Sequence, residues 1–241
     1  MKFIILLGLL PFASSQQTEK CDSTKFSHCN VALGQYWNVD TSNMWNDINQ
    51  LNQVMLSLMK LPYSINNYAN ICNGFANFYA CLGPANIQNC LGLVGQVGMG
   101  RSPQDAYAYL GFMADWRFKC GAGFFAVYES STFTSCTQST YVNYNTDMGK
   151  VVVDYRMNIT ADPNNACKYA QNLMDTYATI YRNGACRATN AADAQWYGCE
   201  SGREYTNAQF RHCQHSTKCR ESEFCECHKN KAQFSFPAKT N

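Results

Sequence analysis

The chain has 241 residues, of which 15% are charged and 14% aromatic, and its formal net charge is +2. So near-neutral a balance excludes the general electrostatic attraction that marks partners of nucleic acid or anionic membranes, and so few charges among so many aromatics exclude a disordered polymer. What remains is a globular chain, long enough for one large domain or two small ones.

The start reads as an export leader. Met1 and Lys2 give a short positive end, Phe3 to Ala13 an apolar run, and Ala13-Ser14-Ser15 the small residues a signal peptidase requires, so residues 1–15 are expected to be removed and the mature chain to begin at Gln16. With Pro11 inside it and Ser14 ending it, the run falls short of the roughly 20 apolar residues of a membrane span. No other stretch approaches that length, and no hydrophobic tail follows Phe236-Pro237. The expected product is secreted and extracellular, with no membrane span.

From residue 42 to residue 60, Met44, Ile48, Leu51, Met55 and Leu58 recur at alternating spacings of four and three, which predicts a helix capped by Thr41 or Ser42 and stopped by Pro62. A second helix follows, capped by Ser64, with Ile65, Tyr68, Cys72, Phe75 and Tyr79 on one stripe and Gly83-Pro84 as its end. Cys81 lies about 900° of helical rotation beyond Cys72, half a turn out, so the two are expected to bond to different elements. Gly92, Gly95, Gly98 and Gly100 read as a mobile connector. Ser102-Pro103-Gln104-Asp105 then opens a third helix with a cap, a first-turn proline and a first-turn acid. Ala106, Leu110 and Met113 form its inner stripe, and Trp116, Phe118, Phe124 and Phe125 surround Cys120.

A break is possible near residues 137–148, where Thr137 to Asn145 is polar and lacks a helical stripe. Residues 150–160, with Val151, Val152 and Val153 in a row, are the one strand-like stretch. Asp162-Pro163 starts another helix, striped by Ala166, Ala170, Leu173, Tyr177 and Ile180 and stopped by Asn183-Gly184. The expected fold is mostly α: a disulfide-stapled helical bundle with short irregular connections. A cysteine-rich helical domain over residues 16–140 precedes a second cysteine-rich helical segment over 141–241, which could belong to the same domain and ends in a cysteine-dense tail.

All fourteen cysteines lie after the leader: Cys21, Cys29, Cys72, Cys81, Cys90, Cys120, Cys136, Cys167, Cys186, Cys199, Cys213, Cys219, Cys225 and Cys227. An even set in an oxidising compartment reads as seven bridges of open connectivity, with Cys225 and Cys227 each reaching for another partner because side chains two apart on an extended chain face the same way. No Cys-x-x-Cys pair occurs, so the bridges are expected to stabilise and not to exchange.

Other candidate chemistry is sparse. His212, His215 and His228 sit among the C-terminal cysteines in a pattern that could suggest zinc, but bridged sulfurs cannot be thiolate ligands, and the expectation is no metal and no cofactor. The glycine-rich segment lacks the lysine and hydroxyl residue of a phosphate loop, and neither a nucleophile elbow nor a zinc-protease motif occurs. Glu221 and Glu223 read as solvated surface. No catalytic residue is expected, so the chain is expected not to be an enzyme. Asn158-Ile159-Thr160 is a glycan acceptor, whereas Asn70-Ile71-Cys72, within a helix, is expected to stay bare. Glu200-Ser201-Gly202 has the general form of a glycosaminoglycan attachment site.

Ile71-Cys72-Asn73-Gly74-Phe75 to Cys81-Leu82-Gly83, Phe118-Lys119-Cys120-Gly121-Ala122-Gly123-Phe124 and Phe133-Thr134-Ser135-Cys136 carry a resemblance. In them the chain resembles the secreted cysteine-rich domains of unknown function abundant in nematodes, which are similar in cysteine layout to nematode chondroitin proteoglycan core proteins. The resemblance implies a helical, disulfide-bonded extracellular module without known activity; the Ser-Gly-rich segment of the proteoglycans is missing. The leading expectation is a non-enzymatic extracellular interaction or structural protein acting through a rigid surface on an extracellular protein or glycan. The alternative is a secreted small-ligand carrier or enzyme with a pocket, which an apolar cavity would favour.

Overall fold

The computed structural model describes residues 20–60 and 62–219, which leaves the leader, Glu221, Glu223, Cys225, Cys227 and His228 outside the described residues. Within them the chain is helical throughout, with ten α-helices and no strand.

Helix α1 (Ser23–Trp37) begins at Asp22, whose carboxylate accepts from Lys25 N at 3.0 Å, and ends on Asn38 at φ 55°, a left-handed conformation that asparagine tolerates better than most residues. It buries Cys29, Leu33 and Trp37, a stripe that sequence reading passed over. Helix α2 (Ile48–Leu58) starts later than residue 42, because Asp47 is the cap and accepts from Asn49 N and Gln50 N at 2.6 and 3.0 Å. Thr41 instead exchanges two bonds with Asn30: its hydroxyl donates to the Asn30 carbonyl at 2.9 Å, and its carbonyl accepts from Asn30 Nδ2 at 2.8 Å. Met44 still enters the core, from a turn.

Helix α3 (Ile65–Asn86) is capped by Ser64 as expected. Gly83, at φ 73°, kinks it, and a last helical stretch continues through Pro84 into a π turn (Ile87–Leu91). The glycine connector is itself helical, α4 (Leu93–Gly98): a Cβ at Gly95 would lie 1.9 Å from the Asn89 carbonyl oxygen, so glycine serves close approach there and not mobility. Helix α5 (Pro103–Lys119) has the Ser102 cap read from sequence, accepting from Asp105 N at 3.1 Å.

Two short helices follow, α6 (Ala122–Tyr128) and α7 (Ser131–Asn143), and then α8 (Asn145–Ala161). These overturn two expectations. The stretch at 137–148 is continuous helix save for the junction at Tyr144, and the polarity of its first turn is internal: Thr137 donates to Phe133 O at 2.9 Å, and Gln138 Nε2 donates to Ser64 O at 3.0 Å. The valine run is helical as well, since Met148, Val152, Tyr155 and Ile159 form an inward stripe spaced by four, three and four, and Val153 is left outside.

A 3₁₀ turn (Pro163–Asn165), α9 (Ala166–Asn183) with the anticipated stripe and stop, α10 (Ala191–Asn207) and a second 3₁₀ turn (Arg211–His215) complete the described chain. α10 packs closely on α9 through glycines; a Cβ at Gly198 would sit 2.5 Å from the Tyr177 carbonyl oxygen. α5 lies at the centre and is buried on nearly every side, and one continuous core runs from Cys29 to Tyr205.

Six disulfides close among the described residues: Cys21–Cys90, Cys29–Cys81, Cys72–Cys120, Cys136–Cys186, Cys167–Cys213 and Cys199–Cys219. Cys72 and Cys81 bond to different helices, as their half-turn offset predicts. No described helix is long and apolar enough to cross a membrane.

Candidate functional site

A cleft of about 130 Å³ opens between α2 and α8, with α5 as its floor. The helices meet there for a local reason. Ile48 and Asn52 lie one turn apart on α2, and Asn145, Met148, Gly149, Val152 and Arg156 form the corresponding face of α8. Ala108, Phe112, Asp115 and Lys119 come up from α5 at spacings of four, three and four, and Tyr141, Tyr177 and Tyr205 close the back.

Its floor holds a buried ion pair. Lys119 Nζ donates to Asp115 Oδ2 at 2.5 Å, and the two residues are 2% and 7% exposed. Ser201 on α10 donates to the other carboxylate oxygen at 2.5 Å. The ammonium also lies 5.1 Å from the Trp116 ring centre and 4.8 Å from that of Tyr141, so aromatic faces supply part of the solvation that water would give. Without Asp115 the cation would be uncompensated in the core.

A polar corner is made by an amide pair: Asn52 Nδ2 donates to Asn145 Oδ1 at 2.8 Å, Asn145 Nδ2 returns a 3.3 Å bond, and Tyr141 donates to Asn52 Oδ1 at 3.0 Å. At the back, Tyr177 donates weakly to Met148 O at 3.5 Å. Burial holds the phenols of Tyr141, Tyr177 and Tyr205 well above the ordinary tyrosine value, so all three are neutral hydroxyls near pH 7. Behind the floor, the Tyr68 and Tyr197 hydroxyls meet at 2.6 Å, and Tyr68 donates to Lys119 O at 3.2 Å, which ties the C-terminal end of α5 to α3 and α10.

The mouth is bordered by Asn49, Gly149, Val153 and Arg156. Arg156 Nη2 donates to Asp105 Oδ1 at 2.7 Å; the two side chains are 29% and 54% exposed. Ser102 first, and then Arg156, hold the Asp105 carboxyl below the usual carboxylate range. Arg156 and Val153 also border a shallower apolar groove on the outer side of α8.

The residues singled out from sequence lie elsewhere. Asn158 is exposed on α8 and does not enter the cleft, its carbonyl accepting from Asp162 N at 2.8 Å; the acceptor stands on a helix surface and not on a loop. Asn70 is half-buried in α3, and its carbonyl accepts from Trp37 Nε1 at 3.2 Å. Ser201 is fully buried, so the folded chain does not offer its hydroxyl to a sugar. His212 and His215 are exposed, and His212 stands beside Cys167 and Cys213, but those two sulfurs are bonded to each other. Asp115, Lys119, Asn52, Asn145 and Arg156 were missed. One signal was available, an aspartate and a lysine four residues apart among the aromatic residues at the end of α5.

No family model matches the chain, and no match was found among curated proteins or solved structures.

Proposed function

We propose that this is a secreted, non-enzymatic small-ligand-binding protein, whose cleft over α5 is set in a disulfide-stapled helical scaffold. The observation that carries the reading is the convergence of polar groups, Asp115–Lys119, Asn52–Asn145 and the three tyrosines, on a concavity with apolar walls. The bridges support export, because they persist in oxidising compartments, and the leader read from sequence points the same way. A scaffold stapled by disulfides keeps a preformed site open at little entropic cost on binding.

The test uses benzyl alcohol, a neutral probe with an apolar ring and one polar atom, measured by isothermal titration calorimetry. Saturable binding at one site is expected, and Gly149→Trp, built from a position whose Cβ meets nothing within 4 Å, is expected to block the mouth and abolish binding at an unchanged melting temperature. Binding that survives Gly149→Trp would place the site elsewhere.

A second reading rests on a different observation. Phe125 and Tyr128 on α6 are 66% and 65% exposed, and both rings contact Phe124. Such a fixed aromatic platform suits recognition of an extracellular protein or glycan.

A further inference from the structure

We infer that the cleft selects a small organic carboxylate, with its anionic end on Arg156 at the mouth and its apolar body against Phe112 and Met148. The inference rests on the ligand-binding reading above and specifies the chemistry of its ligand.

The hydrogen-bonding inventory of the cleft is unbalanced toward donors. Lys119 carries three N–H groups and donates one to Asp115, with the Trp116 and Tyr141 ring faces beside the ammonium. Arg156 carries five N–H groups and makes one side-chain hydrogen bond, to Asp105. Asn52 and Asn145 each spend one amide N–H on the other and keep one spare. On the acceptor side, both Asp115 oxygens are engaged, by Lys119 and Ser201. A ligand that completes this set brings acceptors.

Charge narrows the choice further. Lys119 and Asp115 neutralise each other on the floor, so the cation left to meet a ligand at the mouth is Arg156. Its present partner, Asp105, is mostly exposed and therefore screened and replaceable. A ligand carboxylate inside the mouth would face a less screened guanidinium and can take its fork through two parallel bonds. The walls exclude a bare inorganic anion, since Phe112, Met148 and Val152 leave much of its surface without polar contact. The volume, about 130 Å³, approaches that of the roughly 150 Å³ apolar cavity known to take benzene, and fixes the body at about one six-membered ring.

Calorimetric titration at pH 7 and low salt compares benzoate, benzyl alcohol, benzylamine and inorganic sulfate. Benzoate is expected to bind on the order of tenfold tighter than benzyl alcohol, with benzylamine and sulfate weakest. Arg156→Gln is expected to weaken benzoate on the order of tenfold more than it weakens benzyl alcohol, while Arg156→Lys recovers part of the difference. Benzyl alcohol binding as tightly as benzoate, or a benzoate preference that survives Arg156→Gln, would overturn the carboxylate inference and leave the ligand-binding reading intact. Failure of every probe on the unsubstituted protein would overturn both.

Discussion

Residues 21–120 are cross-linked by Cys21–Cys90, Cys29–Cys81 and Cys72–Cys120, and residues 136–219 by Cys136–Cys186, Cys167–Cys213 and Cys199–Cys219. None of these bridges passes from one set to the other. The two halves meet without a bridge between them: Asp115 with Ser201, Tyr68 with Tyr197, and Gly111 of α5 against α10, where an added Cβ would lie 2.8 Å from the Tyr205 carbonyl oxygen. Covalent staples limit how far each half can open, whereas their association depends on packing and on a buried polar network. The cleft lies on that seam, with Asn52 and Asp115 from the first half and Tyr141, Asn145 and Arg156 from the second. A ligand there would bind both halves at once and so stabilise their contact by mass action.

Reduction is the largest perturbation of this contrast. In the chain-entropy account, the Cys29–Cys81 bridge, with a sequence separation of 52, is worth roughly 4 kcal/mol, and Cys199–Cys219, separated by 20, roughly 3 kcal/mol. Six such terms exceed the roughly 5–15 kcal/mol net stability of an ordinary domain, so full reduction is expected to abolish the thermal transition near room temperature and a chelator to leave it in place. Differential scanning calorimetry on the oxidised protein sharpens the comparison. One transition means that the seam couples the halves; two would mean that each stapled half melts alone.

Removing one charge at the seam comes next. Asp115→Ala leaves the Lys119 ammonium buried without an anion and Ser201 without its acceptor, and is expected to cost roughly 3–5 kcal/mol in denaturant unfolding. The double variant Asp115→Leu, Lys119→Met removes the desolvated pair together and is expected to recover most of that loss. Equal losses in the single and double variants would show that the apolar packing of α5, and not the ion pair, holds the seam.

The same contrast explains what could be read in advance. The staples are visible as an even cysteine set, and the helices whose buried faces are apolar, α2, α3, α5 and α9, announce themselves through Leu51–Met55–Leu58, Tyr68–Phe75, the Ser102 cap and Ala166–Ala170–Leu173. The helices that form the second side of the seam do not. α10 buries Ala194, Gly198, Ser201 and Gly202, and α7 buries Thr134, Thr137 and Gln138, residues that a hydrophobic period treats as surface or turn. Their burial depends on partners far away in the chain, such as Asp115 for Ser201 and Ser64 for Gln138. The cleft inherits that invisibility, because its polar groups come from six helices and only Asp115 and Lys119, four residues apart on α5, share a local pattern.

The smallest effect is expected at the mouth. Arg156 and Asp105 form a pair at 2.7 Å, against 2.5 Å for the buried one on the floor, but both side chains are substantially exposed, and exposed pairs contribute between about 0.2 and 1 kcal/mol. Arg156→Gln is therefore expected to change unfolding stability by no more than that, against the several kcal/mol of Asp115→Ala. Its pH signature has a definite sign. The Asp105 carboxyl is held below its ordinary value by Ser102 and Arg156, so its contribution is present above the unfolded pKa and fades as pH falls through the folded one. Losing Arg156 removes one of the two main causes and raises the folded pKa toward the ordinary range, which a carboxyl-resolved NMR titration of Asp105 would detect. An unmoved Asp105 titration would show that Ser102 alone sets it and that Arg156 is already free to engage a ligand. A stability loss above about 1 kcal/mol would mean that the pair helps close the seam.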